Sequence, residues 1–463
     1  MTRVLFVYPN REGYPIIPLG ISVLSGVLKS CGHITDLFDI TFMAPDKLDH
    51  NAREKTGVVK KVDMSGYWGE SKPLDINAEF TKKIKTFNPE IIGFSIVENN
   101  YGAARELFKT ARANSDAVII AGGIFPTVSP EFFINDDNVD VVCIGEGERA
   151  LLKLADSVQN GLEIKDISNL IIKLRKTKEI GELTLSGYYD WEPFALQDWD
   201  IFDGRHLFKP FMGKVWKTGF FETSRGCPFN CSYCANHTFQ KLFKSNGHYH
   251  REKPIDYVIR EIEYFKNKYS LELIFFNDEN WLMMGAERFQ KFCGDYQKFI
   301  NLPFFIQTRA DTLLDEKKVE TLKNTGCSTI GIGVESGNPD IRKKILNKKT
   351  SDETILKAFE NCRKYKIRTT AYFMMGLPDE TESDIILSAE FAKKIGADSI
   401  ALSIFAPYHG TELFDLCVER NYIDKSYNEN ISVNYSSILN MPQLSKTKLE
   451  ELYYNFNNMI YGA

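Results

Sequence analysis

The sequence predicts an α/β fold in successive parts: a doubly wound parallel sheet over the first 150 or so residues, then a partial barrel of six strand–helix units, then a helical C-terminal segment. Three observations predict it. Short, almost wholly apolar runs alternate with amphipathic stretches, the pattern of parallel strands covered on both faces. The alternation occurs twice, on either side of an irregular stretch at 164–219. A chain of 463 residues is also long enough for roughly three domains of about 150 residues each.

In the first series, 4–8, 34–40, 91–97, 117–121 and 139–144 read as strands, and 19–31, 76–87 and 101–113 as amphipathic helices, the first stopped by Gly32. Residues 41–72 are polar and irregular, an insertion or edge loop. Gly122-Gly123 marks the end of the fourth strand and Gly145-Glu146-Gly147-Glu148 the end of the fifth. Ligands of open parallel sheets bind at such ends, although such glycine turns are more often tight strand–helix connections than ligand cradles. Neither a GxGxxG fingerprint nor a Walker A sequence is present. Residues 170–185 read as a hairpin and 188–202 as an aromatic, Asp-rich stretch. The second series places strands at 219–223, 271–277, 303–309, 328–335, 368–375 and 398–405, with helices at 255–268, 286–299, 316–324, 352–366 and 381–395. A barrel of this kind carries its site at the C-terminal mouth. Residues 411–463 look helical, which sets the expected boundaries at 1–160, 161–212, 213–410 and 411–463.

Composition narrows the function. With 57 Lys and Arg against 62 Asp and Glu, the net charge is −5, too balanced for electrostatic capture of nucleic acid. No apolar run approaches the ~18 residues of a membrane span; the best candidate, 16–28, is broken by Pro18, Gly20 and Gly26. The N-terminus enters a strand at once, without a signal-peptide pattern, so a soluble cytoplasmic protein is expected. Of the nine cysteines, Cys31, Cys143, Cys293, Cys327, Cys362 and Cys417 are isolated, most of them in apolar segments where a thiol is a small buried hydrophobe. Lone histidines such as His33 and His50 read as surface or capping residues. The other three cysteines, Cys227, Cys231 and Cys234, fall within eight residues and point to a reducing compartment and a metal.

The loop Ser224-Arg225-Gly226-Cys227-Pro228-Phe229-Asn230-Cys231-Ser232-Tyr233-Cys234 follows the first barrel strand directly. Three thiolates can hold three irons of a [4Fe-4S] cubane and leave the fourth open to a ligand. Zinc is the competing reading, because His237 would complete a Cys3His set.

This CxxxCxxC loop, with an aromatic residue before its last cysteine, resembles that of the radical S-adenosylmethionine (radical SAM) enzymes, and the resemblance extends over about residues 215–410. It implies that Cys227, Cys231 and Cys234 bind a [4Fe-4S] cluster whose open iron is chelated by SAM, and that SAM is cleaved to a 5′-deoxyadenosyl radical. Tyr233 would then lie near the adenine. Asn277, Asp278 and Glu279 at the second strand end would receive the SAM amino group. Arg309, ending the third, would meet the carboxylate in a two-pronged contact. Glu335 and Ser336 of the Gly-Ile-Gly-Val-Glu-Ser-Gly segment would lie near the ribose, with Gly376 and Tyr408 at the fifth and sixth strand ends; family members often have proline where His409 stands. Each has a plainer reading: Asp278 and Glu279 as helix caps, Glu335 as the partner of a lysine, Gly376-Leu377-Pro378 as a turn.

The first domain resembles the cobalamin (B12)-binding, Rossmann-like domain fused ahead of the barrel in one radical SAM subclass. Pro18-Leu19-Gly20, Ile92-Gly93-Phe94-Ser95, Ala121-Gly122-Gly123 and Gly145-Glu146-Gly147-Glu148 carry the likeness. It implies that a corrinoid tail enters a groove at Ser95, Gly122, Gly123, Gly145 and Glu146. The Asp-x-His-x-x-Gly corrinoid motif is absent, and Phe125 stands where a histidine often follows the glycines.

Together the two resemblances imply a cobalamin-dependent radical SAM C-methyltransferase acting on an unactivated carbon of a small molecule or natural-product intermediate. It would be served by a one-electron reductant such as flavodoxin or ferredoxin. Radical cyclisation, ring contraction, dehydration or another rearrangement is the alternative, and a non-catalytic corrinoid or iron–sulfur carrier a third reading. Consistent with radical chemistry, no Ser/His/Asp constellation or paired-carboxylate motif stands out.

Overall fold

The computed structural model describes residues 1–11, 14–43, 54–56, 61–69, 74–173, 180–188, 195–424 and 436–462. It divides into two compact units. One is built mainly from the chain up to Phe208 with Lys241–His248 added, the other mainly from Lys209–Gln240 and from Tyr249 onward.

The first unit contains β1 (Arg3–Tyr8), α1 (Leu19–Ser30), β2 (Ile34–Asp39), α2 (Ile76–Phe87), β3 (Ile91–Ser95), α3 (Tyr101–Asn114), β4 (Val118–Gly122), β5 (Val141–Cys143), α4 (Glu148–Gln159) and β6 (Leu170–Ile172). Its sheet runs β2-β1-β3-β4-β5-β6, parallel through β5. This is the strand order of a doubly wound sheet. Helix α1 packs on α4 and α2 on α3, the pairing expected of two covered faces. Successive strand residues point to opposite faces, so Val4 and Leu5, or Ile91 and Ile92, are fully buried because both faces are roofed.

The first arm of the expected hairpin, β6, also joins this sheet as an antiparallel edge strand beside β5. A single bridge, Lys173 to Ile180, continues it; residues 174–179 of that hairpin lie outside the described residues, as do 189–194, most of 44–60 and His50. His33 departs from the expected surface or capping role. It is 4% exposed, and its Nδ1 accepts from the Thr2 amide at 3.2 Å while Nε2 meets Asp156 at 3.2 Å. Phe125 is a core residue, its ring 5.1–5.4 Å from those of Tyr101, Phe132 and Phe133.

The second unit contains β7 (Phe208–Phe211), β8 (Lys214–Phe221), α5 (Ala235–Leu242), α6 (Ile255–Tyr269), β9 (Leu273–Phe276), α7 (Ala286–Asp295), β10 (Phe304–Thr308), α8 (Glu316–Thr325), β11 (Cys327–Glu335), α9 (Asp352–Lys364), β12 (Arg368–Met375), α10 (Glu382–Ile395), β13 (Ser399–Ile404), α11 (Glu412–Glu419) and α12 (Lys446–Tyr461). One curled sheet runs β13-β12-β11-β10-β9-β8-β7. Its six strands β8 to β13 are parallel, as expected of the partial barrel. The hairpin partner β7 is an addition to the expected strands. Its two-residue turn, Met212-Gly213, has φ of 52° and 79°, as a type I′ hairpin requires.

Aromatic rings fill the half-barrel: Phe275 stacks on Phe305 at 4.6 Å and Phe211 meets both edge-on. The expected helix 286–299 closes as a π-helical turn, Tyr296–Ile300. In the C-terminal region α12 packs on α10; residues 425–435 lie outside the described residues. Five of the six isolated cysteines are buried and Cys31 is exposed.

Candidate active site

The cysteine loop leaves β8 at its C-terminal end and is held from many sides. Gly226 starts it with φ +85°, and a Cβ there would sit 2.4 Å from the Tyr249 carbonyl oxygen, so only glycine fits. Gln240 Nε2 donates to the carbonyls of Cys227 and Phe229 at 2.6 and 2.9 Å. Asn347 Nδ2 donates to the Asn230 carbonyl at 2.8 Å, and the Ser232 amide to that of Leu346 at 3.2 Å. Asp278, 2% exposed, braces the approach to the loop. It accepts from the Thr223 amide at 3.0 Å and from the hydroxyls of Thr223 and Ser224, both at 2.7 Å. Burial raises the pKa of its carboxyl, and these donors work against the rise.

All three cysteines line a cavity of about 410 Å³ at the C-terminal strand ends of this unit. Burial pushes the Cys227 thiol up to about 11 and raises that of Cys234. The thiolates that irons need therefore depend on the metal's own charge. Tyr233, Glu279, Arg309 and Glu335 share the cavity wall with them. Glu335, at φ +73° on the end of β11, accepts on Oε1 from Lys348 Nζ at 2.9 Å and from the Tyr233 hydroxyl at 3.2 Å. Lys348 is 4% exposed, so this is a desolvated ion pair on the cavity wall.

Glu279 opens onto the cavity, yet protein encloses it closely enough that burial pushes its carboxyl up to about 7, with Glu222 and Asp278 adding repulsion. Nearby Glu222 takes the opposite course: burial opposes its ionisation, but Arg225 and Lys253 hold it at about 2. Arg309 lies over the Phe229 ring at 3.8 Å. Its Nε and Nη2 are on Asp311, each at 3.1 Å, and Nη2 also donates to Thr350 at 3.0 Å.

Other sequence candidates sit elsewhere. Ser336 is fully buried and accepts from the Asn338 amide at 3.2 Å. Gly376 is packed under α12, where a Cβ would come within 2.5 Å of Leu449. Tyr408 gives its carbonyl to Thr411 in a turn. Asn277 is exposed beyond β9, and its amide donates to the Phe221 carbonyl at 2.8 Å. Sequence reasoning missed Asn236 and Lys348 on the cavity wall, and had Asn280 only as the last residue of the Asn277-Asp278-Glu279-Asn280 segment expected at the SAM amino group. Asn280 fixes its Oδ1 on the Thr308 hydroxyl at 2.6 Å, and its buried Nδ2 has no hydrogen-bond partner. Nothing in the sequence sets Lys348 apart from Lys343, Lys344 and Lys349; only burial does.

The donor set fits a cubane. His237 turns Nδ1 toward Glu412 at 3.5 Å. Among the described residues, no three His, Cys, Asp or Glu side chains group as ligands of one ion. A cubane places each thiolate on its own iron and needs no such convergence.

The strand ends of the first unit are of a different kind. Gly123 has φ +107°, and a Cβ there would lie 2.6 Å from the Ile96 carbonyl oxygen, so the chain itself demands this glycine. A Cβ at Gly145 would strike the Phe243 ring at 2.3 Å. The Thr127 hydroxyl ties the two turns, donating to the Gly123 carbonyl at 2.8 Å and accepting from the Gly145 amide at 2.9 Å. The Glu146 carbonyl accepts from Asn169 at 3.3 Å, and Ser95 is half-buried at the end of β3. Space remains at Gly122, where a Cβ meets nothing nearer than 3.5 Å, beside Val97 and Ile124, which are 43% and 49% exposed. These exposed aliphatics make an apolar ledge at Gly122, whereas the spaces at Gly123 and Gly145 are filled by protein.

The family model described as the radical SAM superfamily matches residues 221–392, and that described as the B12 binding domain matches residues 11–155. An uncharacterised methyltransferase of Pyrococcus horikoshii is 26% identical over 349 residues, covering 75% of this chain and 73% of the relative. Anaerobic magnesium-protoporphyrin IX monomethyl ester cyclase of Rubrivivax gelatinosus is 25% identical over 426 residues, covering 89% and 69%. The radical S-adenosylmethionine methyltransferase TsrM of Kitasatospora setae, solved with cobalamin and a [4Fe-4S] cluster, shares the fold. Its TM-score is 0.66 at 17% identity, over 98% of this chain and 85% of the other.

Proposed function

The chain belongs to the radical SAM superfamily and carries a B12-binding domain ahead of the barrel, and from that premise we propose that it is a cobalamin-dependent C-methyltransferase acting on an unactivated carbon of a small molecule. The observation that carries the reading is one chain holding both a B12-binding unit and three cysteines on the wall of a cavity at the barrel's strand ends. When bound, the cluster, SAM and cobalamin supply a hydrogen-abstracting 5′-deoxyadenosyl radical and a transferable methyl group.

The chain's own residues bind, orient and exclude water. Cys227, Cys231 and Cys234 hold three irons and leave the fourth to SAM. Tyr233 would flank the adenine, and the ion pair of Glu335 with Lys348 would offer a fixed carboxylate to the ribose. Glu279 accepts from the SAM amino group, a contact that favours its ionised form against the burial that raises it. The unpartnered Asn280 Nδ2 offers SAM a further donor. Arg309 would meet the SAM carboxylate in a two-pronged contact only by giving up part of its hold on Asp311. In the first unit Gly122 and Ser95 border the ledge for the corrinoid tail.

An electron enters from a small carrier such as flavodoxin or ferredoxin, in a cytoplasm reducing enough to keep the nine cysteines free. Among the described residues no helix is long and apolar enough to cross a membrane. The likeness to the Rubrivivax cyclase favours radical cyclisation as the second reading.

The test uses the full chain, reconstituted anaerobically with iron, sulfide and cobalamin, reduced, and given SAM alone. Methyl transfer predicts S-adenosylhomocysteine at about one per bound cobalamin together with slow release of 5′-deoxyadenosine. Release of 5′-deoxyadenosine alone supports the cyclase-type reading, and neither product leaves a carrier.

A further inference from the structure

Two of the three cysteine sulfurs have a side-chain N–H directed at them. Asn236 Nδ2 lies 3.5 Å from Cys234 Sγ. On its other side the Tyr249 hydroxyl bonds Asn236 Oδ1 at 2.7 Å. A thiolate only accepts, so the amide must turn its NH2 to the sulfur and its oxygen to Tyr249. Arg309 Nη1 lies 3.9 Å from Cys231 Sγ, a long N–H···S approach. The rest of that guanidinium is already committed: its face to Phe229, Nε and Nη2 to Asp311, and Nη2 also to Thr350. Nη1 is the nitrogen left to point at the cysteine loop. Cys227 is held differently, through its carbonyl by Gln240.

We propose that Asn236 and Arg309 set the reduction potential of the cluster by hydrogen-bonding two of its thiolate ligands, with Tyr249 and Asp311 as positioning residues. This rests on the reading that the loop holds a [4Fe-4S] cluster. The physical ground is general. A donor to a cluster sulfur stabilises negative charge, and the reduced cluster carries one electron more, so each donor favours reduction. Placed on this wall, the two side chains ease reduction of the cluster by the external carrier and, by the same amount, lower the driving force with which its electron passes on to SAM.

The experiment is an EPR-monitored redox titration of the anaerobically reconstituted full chain, first without SAM and then with it. Iron and sulfide are counted in every sample. Asn236→Leu and Arg309→Met should keep wild-type iron and shift the SAM-free midpoint negative by about tenfold in the reduction equilibrium, about 59 mV for one electron. Tyr249→Phe should shift it the same way by less, since Asn236 remains but is free to rotate. A merely structural role would change iron content or stability and leave the midpoint of the clusters that form unmoved; full clusters with wild-type midpoints overturn the proposal. If Arg309→Met moves the midpoint only once SAM is bound, Arg309 is a SAM ligand and its half of the proposal falls. If the apolar variants lose iron, Asn236→Gln and Arg309→Lys, which alter the donor's reach but keep it, are titrated in their place: a shifted midpoint supports the proposal and a wild-type one overturns it. A wild-type chain that takes up no iron overturns the cluster reading itself, which is a different failure.

Discussion

The C-terminal strand ends of the two sheets solve one problem by opposite means. In the barrel they carry charged side chains that are buried and paired. Asp278 sits on Thr223 and Ser224, Glu335 on Lys348 and Tyr233, Arg309 on Asp311. In the first unit they carry glycines and exposed aliphatics, tied by the single hydroxyl of Thr127. A site built of side chains announces itself in sequence, because a buried charge needs a named partner. A site built of backbone and space does not, because a glycine that admits a ligand and a glycine that admits the chain's own backbone read alike.

The largest effect should come from breaking the side-chain site. Cys231→Ala should remove most of the roughly four irons expected per chain and abolish 5′-deoxyadenosine formation. The first unit should still retain cobalamin, as read by its visible absorption after gel filtration. Loss of both cofactors together would show that the two sheets are not separable in function.

Gly123 and Gly122 sharpen the other side of the comparison. Gly123→Leu forces a side chain into φ +107° and against the Ile96 carbonyl, at a cost of about 1–3 kcal/mol from the backbone alone. It should lower the melting temperature of the first unit and lose cobalamin through unfolding rather than by blocking a groove. Gly122→Ala should leave that melting temperature unchanged or slightly raised, while cobalamin dissociates several-fold faster. Cobalamin retention unaffected at Gly122 would move the tail away from this ledge.

Next in size is the ion pair on the cavity wall. Lys348→Met strands the Glu335 carboxylate in a place 8% exposed, and removing one partner of a buried pair costs about 3–5 kcal/mol. SAM affinity, measured by equilibrium dialysis on the reconstituted protein, should fall at least about tenfold. Adding Glu335→Gln should restore much of the stability but not the affinity, so the two changes should be far from additive in stability.

Legibility follows the same division. The parallel strands of both sheets were readable from their apolar runs, and the half-barrel's mouth from the cysteine loop, since three thiols in eight residues have few other uses. What escaped depended on tertiary burial. Lys348 lies in a lysine-rich stretch, Asn236 is one polar residue beside a cysteine, and β6 is a three-residue run whose edge position depends on β5 having an open side. Gly376 and Ser336 matched their motif but were drawn into packing, one under Leu449 and the other beside Ser388.

The last expected effect is one of stability alone, at the turn after β12. Glu380 is fully buried. Its Oε2 accepts from the amides of Gly376 and Leu377 at 2.5 and 3.1 Å, and Oε1 has no partner. Burial pushes this carboxyl up to about 8, with the two amides opposing the rise and Asp384 adding to it. The unfolded chain releases the proton near the ordinary glutamate value of about 4.3. Between that value and about 8 the folded state therefore holds a proton the unfolded state has lost. Stability is full below the unfolded value and declines as pH rises, by up to about 1.4 kcal/mol per pH unit. Glu380→Gln keeps an oxygen for the two amides and cannot titrate. Its NH2 takes the unpartnered place of Oε1, which lowers stability by a pH-independent amount. The melting temperature of the second unit, followed from pH 5 to pH 8, should therefore fall more steeply in the wild type than in the variant. Parallel curves would mean that Glu380 is solvated in solution, and that the turn after β12 is held by Leu449 packing on Gly376 rather than by a buried acid.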